Sequence, residues 1–126
     1  MVEQPVIEQV KADFGFLADD PRISGIMLFG SHVHGGTTSR SDIDICIIAP
    51  GRDPGEIFQK VLRDLEQHND QYDIWIFEEL PLHMQGEIME HGIPIICKDE
   101  PALYEYFYRY RKIWQDVKFR MQFCTG

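Results

Sequence analysis

No stretch of this chain approaches the roughly 18 uninterrupted apolar residues of a membrane-spanning helix, so no such span is expected. The opening MVEQPVIEQV lacks a basic segment followed by an apolar run, and does not read as a signal peptide. Cysteine is sparse: Cys46, Cys97 and Cys124 show no CxxC spacing. An odd count, with Cys46 inside a candidate core strand, points to reduced thiols and a cytoplasmic protein. No GxxxxGK followed by Ser or Thr occurs, which excludes a P-loop kinase or GTPase at motif level. Positive charge is in deficit, with 12 Lys and Arg against 21 Asp and Glu, a net of -9. That balance argues against a general nucleic-acid binder, which needs a basic surface for phosphate.

What remains is the composition of a soluble globular protein, 44% hydrophobic and 26% charged. Its 126 residues are expected to form one domain, 1–126, around one core. The charge is uneven. Residues 101–126 hold Arg109, Arg111, Lys112, Lys118 and Arg120 against Glu105 and Asp116, a net of +3. Taking that from the total of -9 leaves -12 on residues 1–100. Most such imbalance is merely solvated surface; an acidic body could also need metal ions before it accepts a polyphosphate.

Hydrophobic periodicity orders the chain as α-β-loop-β-α-β-α-β-α, a layered α/β or α+β domain with a small mixed sheet flanked by helices. Val6, Val10, Phe14 and Leu17 predict a helix near 4–18, stopped at Asp19-Asp20-Pro21. Ile23 to Phe29 predicts a buried strand that runs into Gly30-Ser31. Asp42 to Ile48 predicts a second strand, and Tyr72 to Phe77 a third. Between them, Asp53 as N-cap, Pro54 at the first position and Glu56 in a capping box open a helix buried through Ile57, Val61, Leu62 and Leu65. A helix near 80–91 should be capped by Gly92, and Ile93 to Cys97 should form an edge strand because it contains Pro94. The last helix, about 100–122, carries Leu103, Phe107, Tyr110, Trp114, Val117 and Met121 on one face.

The informative residues are Gly30-Ser31-His32-Val33-His34-Gly35 and Ser41-Asp42-Ile43-Asp44. Strand residues two apart share a face, so Asp42 and Asp44 set two carboxylates side by side. Unrelieved, the pair would repel, and burial would raise at least one pKa. A hard divalent cation removes the conflict, since magnesium favours carboxylate and triphosphate oxygens together. Asp73, at the start of the third strand, joins them if strands two and three are neighbours. Three carboxylates could then hold two metals for in-line displacement at a phosphate. Glycine at position 30 lets backbone approach phosphate, and the amides after it, with the Ser31 hydroxyl, can donate to phosphate oxygens. Taken singly, a DxD is most often a pair of solvated acids and a Gly-Ser most often a turn. Jointly, glycine closes one strand where two acids open the next.

The arrangement resembles the minimal nucleotidyltransferases (MNT proteins) of the DNA polymerase β-like superfamily. Their signature is GS, ten residues, then DxD. Here Gly30-Ser31 is followed by the ten residues His32 to Ser41 and then Asp42-Ile43-Asp44. The family's third carboxylate matches Asp73 in Tyr72-Asp73-Ile74. The resemblance covers about residues 1–97, and the long aromatic last helix extends beyond the commonest minimal form. Where family members often carry arginine just after GS, this chain has His32 and His34. The resemblance implies a polymerase β-like fold, ATP as substrate, and two Mg2+ ions held by Asp42, Asp44 and Asp73. It further implies a helical HEPN-type toxin as partner, one of whose tyrosines receives AMP, so that the chain acts as antitoxin. Two alternatives stand beside this: a catalytically silent subunit that neutralises a partner by contact, and transfer to a small molecule. The second usually needs an added acceptor domain, for which this chain has no room.

His32, His34, His68, His83 and His91 do not form an HxH-plus-acid zinc site. Cys124 has no neighbouring base to make it a nucleophile. On the last helix, Tyr104, Tyr108 and Arg111 fall on a face distinct from the apolar stripe. That face is expected either to dock a second subunit, another copy or the toxin-like substrate, or simply to meet solvent.

Overall fold

The computed structural model describes residues 4–30, 43–65 and 71–124. Helix α1 (Gln4–Phe14) buries Val10 and Phe14. Its expected last turn tightens instead into a 3-10 turn, Gly15–Leu17, which still delivers Leu17 to the core. Gly15 is the cause we assign, since glycine in a helix interior forfeits backbone entropy.

Strand β1 (Gly25–Phe29) is buried throughout, and β2 (Ile43–Ile48) is buried except at Asp44. Burial of consecutive residues requires cover on both faces. Helix α2 (Pro54–Leu65) starts as expected, with the Asp53 side chain accepting from the Gly55 N–H at 3.0 Å. Strand β3 (Tyr72–Ile76) alternates buried and half-buried positions and ends in a 3-10 turn, Phe77–Glu79. Helix α3 (Leu82–His91), β4 (Ile93–Cys97) and the long α4 (Glu100–Cys124) complete the order.

The sheet runs β3-β2-β1-β4. Strand β1 is antiparallel to both β2 and β4, while β2 and β3 are parallel. A parallel pair needs a crossover, and α2 supplies it. On one face Ile26, Leu28, Ile43, Ile45, Ile47 and Ile74 pack with Val10 and Phe14 of α1 and Ile57, Val61 and Leu65 of α2. On the other, Met27, Phe29, Cys46 and Ile48 pack with Phe77, Ile88, Met89, Leu103 and Phe107. Each such aliphatic side chain contributes about 1.5–3 kcal/mol on full burial.

Pro94 lies in the edge strand β4, at the register shift opposite Ile26 and Met27, where a missing N–H disturbs the ladder least. Three helical details differ from the sequence reading or add to it. Gly92 ends α3, its N–H donating to the Ile88 carbonyl at 2.8 Å, but it is extended rather than left-handed. Glycine is needed there for space: a Cβ would come within 3.0 Å of Met27 Cε and nearer still to the Ile88 carbonyl oxygen. Gly86 likewise leaves room for the indole of Trp114, bringing α3 and α4 close together. The stripe on α4 is buried only at Leu103 and Phe107; Tyr110, Trp114 and Val117 are half-buried and Met121 is exposed. The helix outruns the surface it packs on, so its distal turns lose their cover.

Candidate active site

The alternation of β2 sends Ile43, Ile45 and Ile47 to the α1–α2 face and Cys46 and Ile48 to the α3–α4 face. Asp44 therefore shares its face with Cys46. In β3, Tyr72, Ile74 and Ile76 join the α1–α2 core, which leaves Asp73 and Trp75 on the opposite face. The parallel register pairs Asp44 with Asp73 and Cys46 with Trp75. Adjacent strands lie about 4.8 Å apart, so two half-buried carboxylates stand side by side near the N-terminal ends of β2 and β3.

Because β1 is antiparallel to β2, its C-terminal end arrives at the same place, with Phe29 opposite Asp44. Gly30 follows with φ +81°, a backbone conformation that glycine adopts without penalty. A Cβ there would sit 3.0 Å from Asp44 Cγ and would overlap Asp44 Oδ2. The glycine thus makes space for the carboxylate, a role the sequence reading did not assign to it. The other oxygen, Asp44 Oδ1, accepts a hydrogen bond from the indole Nε1 of Trp75 at 3.3 Å.

Behind the pair, the Cys46 thiol is fully buried, and its pKa is pushed well up, chiefly by burial and then by the nearby Glu78 carboxylate. A neutral thiol at that position is structural. Tyr72, beside Asp73, turns to the other face, where its hydroxyl donates to Asp13 at 2.5 Å and its ring meets Phe14 edge-on. Burial first, then the Asp13 bond, raises the Tyr72 pKa and keeps it a donor.

At the far ends of β2 and β3 a second polar group was missed by sequence reading. Glu78 accepts from the Ala49 N–H at 3.1 Å and from the Tyr106 hydroxyl at 2.6 Å, and the Tyr106 and Tyr110 hydroxyls lie 3.2 Å apart. Burial, Glu78 and Tyr110 together raise the Tyr106 pKa. This cluster ties the end of β2, the turn after β3 and α4 into one unit.

Of the residues singled out in sequence, Gly30, Asp44 and Asp73 come together. Asp42, Ser31, His32 and His34 lie outside the described residues. Among the described residues no group of three or more potential metal ligands occurs. Asp44 and Asp73 supply two hard oxygen donors, a set that suits magnesium, which takes its other ligands from water and phosphate.

The sequence profile described as polymerase beta, nucleotidyltransferase matches residues 15–101, from the turn after α1 through all four strands to the start of α4. The chain belongs to this nucleotidyltransferase family. A candidate protein adenylyltransferase of Methanocaldococcus jannaschii is 41% identical over 101 residues, 80% of this chain and 77% of that one. Solved structures share the fold at low identity. A chain of the Shewanella oneidensis complex of a tri-AMPylated HEPN toxin with an MNT antitoxin superposes with a TM-score of 0.67 at 14% identity. The match covers 98% of this chain and 96% of that one. A toxin–antitoxin structure with AMP-PNP gives a TM-score of 0.66 at 18% identity, covering 94% of each chain. The nucleotidyltransferase fold that the family resemblance implies is therefore the fold observed. Among the described residues no helix is long and apolar enough to cross a membrane.

Proposed function

We propose that this nucleotidyltransferase moves AMP from ATP onto a hydroxyl of another protein, a tyrosine of a HEPN-type toxin, and thereby acts as its antitoxin. The observation that carries the reading is the pairing of Asp44 with Asp73 across β2 and β3, beside a glycine that ends β1. The relative named as a candidate protein adenylyltransferase and the AMP-PNP-bound structural neighbour support ATP as donor and protein as acceptor. The acceptor oxygen attacks the α-phosphorus, the bond from that phosphorus to the bridging oxygen breaks, and pyrophosphate leaves. The acceptor's proton passes to solvent.

Asp44 and Asp73, with Asp42, would hold two magnesium ions. Bound there, magnesium lowers the pKa of the attacking hydroxyl and neutralises the triphosphate. The chain's own part is to fix its carboxylates on one sheet face and to bring the backbone at Gly30 and Ser31 close to the triphosphate. A helical acceptor protein would carry the nucleophile. The cytoplasm, with its ATP and magnesium, is the compartment this reading requires.

Intact mass spectrometry of a HEPN-type protein incubated with the chain, ATP and magnesium tests the proposal. A gain of AMP units on tyrosine is expected, absent when Asp44 is changed to Asn. Neutralisation of the toxin with no mass gain would instead establish the silent-binder alternative.

A further inference from the structure

We infer that Trp75 is a positioning residue for the metal site: its indole N–H fixes the Asp44 carboxylate in the orientation that receives a divalent cation. The assignment rests on the metal-dependent reading of Asp44 and Asp73 and deepens it.

Trp75 stands two residues after Asp73 on the same face of β3, opposite Cys46, so it meets Asp44 on the diagonal across the parallel pair. Its Nε1 lies 3.3 Å from Asp44 Oδ1. An indole N–H can only donate, so it selects an acceptor oxygen and cannot exchange roles with it. The second oxygen, Oδ2, lies over Gly30, where a Cβ would overlap it. One oxygen is thus addressed by the indole donor, and the other lies against Gly30.

An aspartate side chain has a broad terminal torsion. The indole N–H places a directional restraint on that rotation. Partners that orient a ligating carboxylate typically change metal affinity about 10–100-fold when removed. The indole is itself held, half-buried in a strand and packed against the α3–α4 core. Trp75 also lines a cavity of about 450 Å³ with Gly55, Phe58, Glu79, Leu80 and Pro81. Phenylalanine keeps an aromatic ring against the α3–α4 core, with less volume, and loses the N–H.

The test compares the full chain with Trp75→Phe, which keeps an aromatic ring and loses the donor. Free Mn2+ is measured by electron paramagnetic resonance during titration, with and without ATP. Weakening of Mn2+ binding by about 10–100-fold, with an unchanged melting temperature, supports the assignment. The magnesium concentration for half-maximal transfer should rise by the same factor, while the rate at saturating magnesium stays near wild type. Equal Mn2+ affinity in wild type and Trp75→Phe overturns it.

A second arm does not depend on the stability of that variant. The chain has two tryptophans, Trp75 and Trp114. In Trp114→Phe, all indole emission comes from Trp75, and saturating Mn2+ should quench it. Persistent emission in a protein that binds Mn2+ overturns the assignment while leaving the metal reading intact. Failure of wild type to bind Mn2+, judged against Asp44→Asn as the empty control, overturns the metal reading and the assignment with it.

Discussion

Changing Gly30 to alanine separates steric necessity from mere tolerance at the centre of the site. The residue has φ +81°, a left-handed conformation that costs an L-residue about 1–2 kcal/mol. The new methyl would also fall 3.0 Å from Asp44 Cγ and 3.2 Å from Asp44 Cβ, inside normal contact. Forcing such an overlap adds about 1–3 kcal/mol. The expected destabilisation is therefore about 2–5 kcal/mol, or roughly 8–20 °C in melting temperature at about 4 °C per kcal/mol for a domain of this size. Urea denaturation followed by circular dichroism measures it without reference to activity. In an Asp44→Ala background Cγ and both oxygens are gone, while the backbone cost and the approach to Cβ remain. There Gly30→Ala should cost only about 1–2 kcal/mol, a coupling between neighbours that a double-mutant cycle reads directly. Equal cost in both backgrounds would refute the claim that the glycine exists to seat Asp44.

Asp44→Asn and Asp73→Asn should each lower AMP transfer by at least about 100-fold, as loss of a charge that acts in the transition state implies. Both should fold normally by circular dichroism, and transfer is read with radiolabelled ATP. The Asp20 carboxylate accepts from the Arg22 backbone N–H at 2.9 Å and from its guanidinium at 3.1 and 2.9 Å. The guanidinium hydrogen bond holds its pKa well below the usual carboxylate range. A depressed folded pKa contributes stability that is fully present above the ordinary value and lost as pH falls through the folded one. Asp20→Asn should thus cost about 1 kcal/mol at neutral pH, with the gap to wild type closing below about pH 4 in urea titrations across pH. Tyr104 and Tyr108 on α4 are 51% and 57% exposed. Changing both to serine should leave melting temperature and Mn2+ binding unchanged and weaken association with a partner subunit in sedimentation.

Hydrophobic period carried most of the fold into the sequence. Alternation in Ile43-Asp44-Ile45-Cys46-Ile47 fixes which side chains share a face before any partner strand is known. The buried stripe of α2, Ile57, Val61 and Leu65, is likewise local information. The pairing of Asp44 with Asp73 was legible only conditionally, because sequence spacing says nothing of which strands become neighbours. Trp75 escaped notice for that reason: its hydrogen bond runs diagonally across a parallel pair. A tryptophan two residues from a candidate ligand, with an N–H to satisfy, was the available signal. Glu78 was hidden differently, in residues where β3 passes into a 3-10 turn. The space-making roles of Gly86 and Gly92 depend on Trp114, Met27 and Ile88, partners that helix-end rules do not name.

The geometry of the aspartate pair depends on register more than on either aspartate. A slip of one residue between β2 and β3 would turn Asp73 to the opposite face, since side chains alternate with period two. That slip would also send Trp75 toward the α1–α2 core and carry Tyr72, Ile74 and Ile76 out of it. The loss of three buried side chains, at about 1.5–3 kcal/mol each, together with the Tyr72–Asp13 contact, is comparable to the whole stability of a typical domain, about 5–15 kcal/mol. At the other end, the Glu78 carboxylate holds the backbone just past β2 from the turn just past β3, and Tyr106 clamps both to α4. A parallel pair has no hairpin to set its register, so it must be set by what packs at its two ends and on its faces. Strand β1 then needs only to run antiparallel for Gly30 to arrive beside Asp44. Glycine and two carboxylates, far apart in sequence, meet because three strands of opposed direction share one end of a sheet whose other end is locked.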